Sequence, residues 1–394
     1  MMPKQALTEQ EMPEKIISEY DEDGNLNSKL RLLRGSAGKI ISIIAILMSL
    51  FHLYTAFFGV FESILQRSAH LAFALVLTFA IYKPSKKAVK NESVPWYDWL
   101  FIILSIACYS YYVMNAQTIS SRMSYIEPLT TLEIAIGVLS GLLLIEATRR
   151  VIGNTLVVII FICLVYGIWG HLIEGSLSHR EFTLMWIIDH LFYTVTGIFS
   201  TPLGVSATFI FLFILFGKFL EVSGAGQFFI DLSVAGMGKY RGGPAKTAIV
   251  ASSILGTISG SAVANTVTTG AFTIPLMKKT GYKGHFAAAV EAVSSTGGQI
   301  MPPIMGASAF IIASYLGVPY MEVAVAAILP AILYYCCLYF QVDMRARRLG
   351  LVGLKKEELP KMSSVLKKGF LFFIPLIVIV VMLASGSSPM KAGL

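Results

Sequence analysis

Long apolar segments separated by short polar stretches set the pattern of this chain. Each segment is close to the roughly 20 residues that a helix needs to cross about 30 Å of hydrocarbon. On this basis about nine crossings are predicted, near residues 40–60, 66–82, 99–115, 132–148, 154–173, 203–222, 286–316, 320–341 and 369–386. The pattern therefore predicts an all-α polytopic membrane protein.

The composition agrees with a chain surrounded by membrane lipid. Hydrophobic residues make up 55% of the 394 residues and charged residues 14%, whereas a soluble domain carries about 25% charged residues. The net charge of +8 comes from short clusters between apolar segments and not from a basic groove, so we expect no nucleic-acid partner. The four cysteines lie inside apolar segments and the six histidines are scattered. This predicts no cofactor and no enzymatic metal centre.

The basic clusters also predict the orientation of the chain. Residues 1–39 are polar and charged, and we interpret them as a cytoplasmic N-terminal tail without a cleavable signal peptide. If 245–277 enters and leaves the membrane on one side, 27 of the 31 Lys and Arg residues are cytoplasmic, and the four left outside are Arg67, Arg122, Arg180 and Lys391. A straight crossing there would move the last eleven of them outside, against the positive-inside rule.

The segment 245–277 is therefore predicted to be a re-entrant hairpin. As one helix, its 33 residues would reach about 50 Å, well beyond the bilayer core. Gly260 in its middle permits a tight reversal of the chain. Oxygen ligands without a carboxylate suit a monovalent cation such as Na⁺, and the tip offers Ser259, Ser261, Asn265, Thr266 and Thr268. The alternative is that small residues here only permit close helix packing.

The predicted crossing at 286–316 is interrupted by the pairs Gly297-Gly298 and Pro302-Pro303. Paired prolines remove two amide donors and paired glycines permit an unwound path, which predicts a broken helix. Helix ends beside a break expose carbonyls that can bind a cation and amides that can bind an anion. A hairpin tip and a broken helix at membrane depth form midplane sites in secondary transporters. A proline kink without a ligand is the alternative.

Charged and aromatic side chains inside the apolar segments have competing interpretations. Glu291 lies about one turn before the break, where it serves either proton or cation coupling or a structural role as a carboxylate hydrogen-bonded to neighbouring helix ends near the cytoplasmic interface. Glu146 is expected to pair with Arg149 and Arg150, unless these snorkel to the interface. An interfacial aromatic belt is expected for Tyr109, Tyr111 and Tyr112.

At these residues the chain resembles the large membrane subunit of tripartite ATP-independent periplasmic (TRAP) transporters. The most similar segments are GTISGSAVANTVTTGAFTIPLMKKTGY at 256–282 and EAVSSTGGQIMPPIMGASAF at 291–310. Two preceding segments also fit, FGKFLEVSGAG at 216–226 and GKYRGGPAK at 238–246. The first four crossings resemble the small four-helix subunit that is sometimes fused ahead of the large one, most like the TAXI-type subgroup.

The resemblance implies three segments: the tail at 1–39, a small-subunit-like scaffold at 40–150, and the N-terminal half of the large permease at 151–394. It implies an elevator-type, ion-transporter-like fold, of which this chain holds one of two inverted repeats. The implied function is Na⁺-coupled import of an organic anion, often a carboxylate, delivered by a periplasmic solute-binding protein. The implied location is the bacterial inner membrane.

Carried over residue by residue, the resemblance also implies the site residues. For the Na⁺ site these are Ser259, Ser261, Asn265, Thr266 and Gly297. For substrate binding they are Ser295, Thr296, Gly298 and Pro302. Na⁺ acts as the coupling ion, and no other metal is implied.

The family's second inverted half, with its own hairpin and broken helix, has no counterpart in these 394 residues. We therefore expect a truncated product, a fragment, or one half of a split permease whose partner is the missing C-terminal half. An ion-only antiporter or channel of the same hairpin architecture is an alternative function. An intramembrane hydrolase is a third, with Ser259 or Ser261 as nucleophile and His285 as the only nearby histidine, but no GxSxG motif supports it.

Overall fold

A computed structural model describes residues 30–31, 33, 35–85 and 94–394 of the protein. Helices dominate these residues, and their only β-structure is an isolated bridge between Leu30 and Tyr82. The predicted all-α class is confirmed. Most of the predicted tail at 1–39 lies outside the described residues.

The helices range from 4 to 29 residues in length, and we number them in chain order. They are α1 Gly35–Phe58, α2 Ser63–Ile81, α3 Trp96–Met114, α4 Ala116–Ser121, α5 Thr131–Val151, α6 Asn154–Trp169, α7 Leu184–Phe192, α8 Thr201–Val222, α9 Ala225–Met237, α10 Gly243–Ser259, α11 Ala262–Lys279, α12 Gly284–Gly297, α13 Ala307–Leu316, α14 Tyr320–Arg348, α15 Met362–Ala384 and α16 Pro389–Ala392. Short 3₁₀ turns lie at Gly170–Leu172, Gly298–Ile300 and Lys356–Glu358.

Eight helices in the described part of the chain are long and apolar enough to cross a membrane: α1, α2, α3, α5, α6 extended to Leu172, α8, α14 and α15. They correspond to eight of the predicted crossings, and the polytopic class is confirmed. The remaining predicted crossing, 286–316, consists of the shorter helices α12 and α13 with non-helical chain between them.

The described chain forms two compact units. The first comprises the described residues of Met1–Met48 and Phe61–Ser200, and the second comprises Ser49–Val60 and Thr201–Leu394. This boundary differs from the division at 150 that the resemblance implies. Helix α5 packs against α2 and α3 and also against α6 and α7, so the latter two helices stay with the first unit.

Buried ion pairs fasten one end of the first unit. Arg150 is 1% exposed and lies 2.7 Å from both Asp98 and Glu146, and Arg31 also pairs with Asp98. The Arg150 guanidinium stands 5.1 Å from the ring centre of Phe79. Of the two interpretations of this arginine, the structure therefore shows pairing. A charge within apolar surroundings is tolerated when oppositely charged groups and an aromatic face surround it.

The tyrosines of α3 are a correction to the sequence interpretation. Tyr109 and Tyr112 are 0% exposed, and the Tyr112 ring packs 5.5 Å from Tyr193 and 5.1 Å from Phe199. The prediction of an interfacial belt is wrong for these two residues. Their flat rings fill the interior of the first unit because large aromatic side chains bury much apolar area there.

The second unit is built around α10 and α11, which pack against each other and against α12, and α10 also packs against α14. Helices α10 and α11 are the two arms of the predicted hairpin. The start of α10 and the end of α11 both lie near the C-terminal end of α14 and the residues that follow it. Lys246 near the start of α10 ion-pairs with Asp343 of α14 at 2.7 Å, and Lys279 at the end of α11 pairs with Glu358 at 3.4 Å. This is the geometry that a segment needs if it enters and leaves a membrane on one side.

We predict that both hairpin ends face the cytoplasm. In a cysteine-free background, Lys279→Cys and Arg347→Cys should react with a membrane-impermeant reagent only from the cytoplasmic side, since both positions are exposed. Arg180→Cys, exposed in the first unit and predicted periplasmic, is the matched control and should react from outside. Labelling of position 279 or 347 from outside intact cells would contradict this topology.

Candidate functional site

The two arms of the hairpin meet at Gly260 and Ser261. Gly260 ends α10 with φ +58° and donates its N–H to Gly256 O at 3.0 Å, and the Ser261 hydroxyl caps α11 by accepting from Ala264 N at 3.3 Å. A Cβ atom at position 260 would lie 2.2 Å from Met305 O. Glycine is therefore required both by the left-handed backbone and by the close approach.

The non-helical segment between α12 and α13, which we call the break, lies against this tip. Helix α12 ends at Gly297, the 3₁₀ turn Gly298–Ile300 follows, and α13 begins only at Ala307. Met305 has φ +59°, a conformation that costs a non-glycine residue about 1–3 kcal/mol. It is held there by its surroundings: Gly306 N donates to Gln299 O at 2.7 Å, and the Tyr320 hydroxyl donates to Ile304 O. Such strained backbone is common at ligand sites.

Glycine backbones join the first arm to the break. A Cβ atom at Gly298 would lie 2.5 Å from the Cα of Gly256, and a Cβ at Gly256 would lie 2.4 Å from the Cα of Gly298. At the tip, a Cβ at Gly306 would lie 3.3 Å from Gly260 O. The structure thus brings the predicted hairpin tip and the predicted break into direct contact within one unit.

Asn265 is the predicted cation ligand with the clearest structural support. It is 2% exposed, and its Nδ2 donates to Ser252 O at 2.8 Å. Its Oδ1 is buried and has no hydrogen-bond partner among the described residues. A buried acceptor without a partner costs about 1–3 kcal/mol, so this oxygen is available to a ligand.

A small cavity of about 30 Å³ adjoins this side chain. Its lining includes polar groups of both arms, Asn265, Ser259 and Thr268, together with Glu221 of α8. A volume of this size accommodates about one water molecule or one small ion. No cluster of three or more His, Cys, Asp or Glu side chains that could hold a metal occurs in the described ranges. A cation here would therefore rely largely on neutral oxygens.

The other predicted cation ligands are less closely assembled. The Ser259 Oγ accepts from Ser261 N at 3.4 Å, and the Thr266 hydroxyl donates to Ala262 O at 2.8 Å. Ser261 and Thr266 do not line the cavity. Gly297 packs against α14 instead, because a Cβ there would lie 2.4 Å from the ring of Tyr334. Of the two glycines at the break, the one near Asn265 is Gly298, where a Cβ would lie 3.5 Å from Asn265 Nδ2, and the resemblance assigned Gly298 to the substrate.

Of the remaining predicted substrate residues, Ser295 lies in the protein interior. It is 0% exposed and its hydroxyl donates to Glu291 at 3.1 Å, so in this structure it faces the protein interior. Thr296 is exposed, and its hydroxyl donates to Ala292 O at 2.8 Å. Pro302 is half-buried and lines an apolar cavity of about 300 Å³.

Glu291 is the centre of a polar cluster that sequence reasoning missed. This fully buried carboxylate accepts hydrogen bonds from Ser252 of α10, from Thr269 and Thr273 of α11, and from Ser295 of its own helix. The structure therefore shows the hydrogen-bonded carboxylate, but its partners are hydroxyl side chains of the two arms and of its own helix and not helix ends. The spacing of four residues within each of the pairs 269/273 and 291/295 places each pair on one helix face, which is the signal available in the sequence.

Comparison with known proteins identifies the family to which this chain belongs. Residues 139–394 match the family described as tripartite ATP-independent periplasmic transporter, DctM component. A protein of Haemophilus influenzae assigned as a TRAP transporter large permease is 35% identical over 144 residues, which is 36% of this chain and 33% of that protein. The C4-dicarboxylate TRAP transporter large permease protein DctM of Rhodobacter capsulatus is 28% identical over 159 residues, 37% of this chain and 36% of its own length.

A third relative is the 2,3-diketo-L-gulonate TRAP transporter large permease protein YiaN of Escherichia coli. It is 26% identical over 182 residues, which cover 46% of this chain and 42% of the relative. The chain therefore spans about a third to two fifths of the length of these curated relatives.

Proposed function

Because the chain belongs to the DctM component family of tripartite ATP-independent periplasmic transporters, we propose that it forms part of a Na⁺-coupled permease. The permease imports an organic anion, in our proposal a carboxylate, that a periplasmic solute-binding protein delivers. The substrate class is supported by two relatives whose names specify C4-dicarboxylate and 2,3-diketo-L-gulonate, both of them organic acids.

The observation that carries the proposal is the unpartnered Oδ1 of Asn265 beside a cavity of single-ion size. Neutral oxygens are suitable ligands for a hard monovalent cation, whereas transition metals prefer imidazole or thiolate. Na⁺ bound to this oxygen would give a buried acceptor its missing partner. The partial negative charge at the C-terminal end of α10, which ends at Ser259, would add to the attraction.

Coupling between cation and substrate follows from the contact between the arm and the break. Asn265 lies close to Gly298, and Gly298 begins the turn that leads away from α12. A cation that orders Asn265 would therefore order the backbone at the end of α12, beside the exposed Thr296. Two ligands that stabilise the same arrangement of a shared element increase each other's affinity.

We further propose that the protein resides in the bacterial inner membrane with a cytoplasmic N-terminus. In this arrangement the permease also contains the second half of the large subunit. The matched residues cover only 33% and 42% of two curated relatives, so most of the length of each relative lies outside the match. The substrate site would form between the two halves, as it does in repeat-built transporters.

Uptake by the complete permease tests this function. Proteoliposomes receive an inward Na⁺ gradient and a panel of binding proteins loaded with radiolabelled carboxylates. We expect accumulation that requires both the Na⁺ gradient and a binding protein, with a K⁺ gradient of equal size as the control. Na⁺ flux that proceeds without any binding protein or substrate would contradict the proposal and favour the ion-only antiporter or channel.

A further inference from the structure

A cavity between α9 and α15 of the second unit lies apart from the candidate cation site. Its volume of about 420 Å³ falls within the range of about 300–1,000 Å³ that is typical of small-molecule sites, and it shares no lining residue with the cavity beside Asn265. One wall is formed by α9 and the residue before it: Gly224, Gln227, Phe228 and Asp231. The opposite wall is formed by α15 and the residues that precede it, and it includes Lys361, Ser364, Lys368 and Phe372.

The two helices that form this cavity pack against each other in antiparallel directions. Near the end of α9, a Cβ atom at Gly236 would lie 3.7 Å from the side chain of Met362, the first residue of α15. Near the start of α9, the Phe228 ring lies 5.6 Å from the ring of Phe372, further along α15. The start of α9 is therefore level with the apolar part of α15, and the end of α9 is level with its polar start.

The polarity of the cavity changes along α15. The first eight residues of this helix include Lys367 and Lys368, whereas residues 370–384 contain no charged side chain. A helix of this pattern enters the hydrocarbon near residue 370, and its preceding turns lie at the level of the phospholipid headgroups. Lys361 and Lys368 are on the headgroup side of this boundary, and Phe372 is on the apolar side. The cavity thus extends from the headgroup region into the hydrocarbon.

The two lysines that line the cavity have no anionic partner. Within the described residues, neither the Lys361 nor the Lys368 ammonium group forms a hydrogen bond or an ion pair. Asp231 lines the same cavity, but its Oδ1 accepts a hydrogen bond from Gln227 Nε2 at 2.7 Å, and it pairs with neither lysine. The charge at this end of the cavity is therefore net positive, which is complementary to an anion.

We propose that this cavity binds an anionic phospholipid of the cytoplasmic leaflet. The phosphate lies between Lys361 and Lys368, and the acyl chains extend past Phe372 along the apolar part of α15. A phosphodiester attached to an apolar tail matches both ends of the cavity, whereas free phosphate would match only the lysine end. The bound lipid would join α15 to α9, the helix that precedes the first arm of the hairpin. Only the choice of leaflet rests on the proposed topology.

Native mass spectrometry of the complete permease, released from detergent, measures this binding. The protein is titrated with phosphatidylglycerol and, separately, with phosphatidylcholine of identical acyl chains. We expect tighter binding of phosphatidylglycerol. Lys361→Gln and Lys368→Gln should each weaken that binding about fivefold, and the double variant about 25-fold, because each substitution removes one positive charge from the phosphate.

Lys367→Gln is the matched control for the Lys368 variant. Lys367 is the neighbouring exposed lysine on the same helix, but it does not line the cavity. Both variants change the net charge equally at nearly the same depth, so only Lys368→Gln should weaken phosphatidylglycerol binding. An equal loss in the two variants would overturn the proposal, because general attraction to a basic surface would then explain the binding.

A further variant fills the cavity without changing its charge. Ser364 is exposed and lines the cavity between the two lysines, so Ser364→Trp should exclude the lipid while both lysines remain. The melting temperature in detergent without lipid checks that each variant is folded.

Three further results would contradict the proposal. They are equal affinities for the two lipids, release of phosphatidylglycerol by an equal concentration of inorganic phosphate, and an experimental structure in which the second half of the permease fills the cavity. The titration requires neither Na⁺ nor substrate, so its outcome is independent of the uptake assay.

Discussion

Replacing Gly298 with alanine in the complete permease is expected to abolish the stabilisation by Na⁺ and to lower the melting temperature. The added Cβ would lie 2.5 Å from the Cα of Gly256, and neither backbone can rotate aside. Overpacking costs about 1–3 kcal/mol, and each kcal/mol moves the melting temperature of a domain of 150–250 residues by about 2–4 °C, so we expect a decrease of roughly 2–12 °C. Thermal unfolding in NaCl and in choline chloride measures both effects.

Gly236→Ala is the matched control for this substitution. Gly236 lies inside α9, where a Cβ atom would be 3.7 Å from the Met362 side chain, an ordinary van der Waals distance. Alanine in a helix interior is about 0.5–1 kcal/mol more favourable than glycine, so this variant should be at least as stable as wild type. If Gly298→Ala behaved like this control, the contact between arm and break would have no role in the site.

Replacing Asn265 with alanine should raise the Na⁺ concentration that gives half-maximal thermal stabilisation. The variant removes the unpartnered Oδ1 that we assign as a Na⁺ ligand. One lost polar contact of about 1–3 kcal/mol corresponds to a change in affinity of roughly 5- to 150-fold. Binding to the folded state raises the melting temperature in proportion to the logarithm of ligand excess, so a Na⁺ titration at constant ionic strength reports the affinity.

Two further variants separate this role from general destabilisation. Asn265→Asp keeps an oxygen at the position and should retain the response to Na⁺, although it loses the hydrogen bond from Nδ2 to Ser252 O and should therefore unfold at a lower temperature without Na⁺. Asn154→Ala changes an exposed asparagine at the start of α6 and should leave the response unchanged. Equal Na⁺ responses in wild type and Asn265→Ala would contradict the assignment of Asn265 as a Na⁺ ligand and would leave it only a role in helix packing.

The helical architecture could be predicted because it depends on local properties. The sequence directly shows the length of each apolar segment, as in α8 and α14, and the positions of lysine and arginine between the segments. The conformational freedom of Gly260 similarly places the turn of the hairpin. The family resemblance then brought the segment around Asn265 and the segment around Gly298 together.

The interior of the site could not be predicted, because it depends on how helices rotate against each other. The sequence does not show that Gly298 faces Gly256 while its neighbour Gly297 faces Tyr334. It also does not show that Ser295 turns toward Glu291, since a serine on a helix can face a ligand or the interior. The prediction of an interfacial belt for Tyr109 and Tyr112 was wrong for the same reason, because their burial depends on tertiary packing and not on the apolar segment that contains them.

The most direct test of the account is to locate the cation in an experimental structure of the complete permease. Crystals or particles prepared with Tl⁺ as a heavy substitute for Na⁺ should show one strong peak within coordination distance of Asn265 Oδ1, and excess Na⁺ should remove it. The same peak should be absent from Asn265→Ala. A Na⁺-sensitive peak elsewhere in the protein, with Asn265 Oδ1 bound only to water or to protein, would contradict the assignment of the hairpin tip and the break as the cation site.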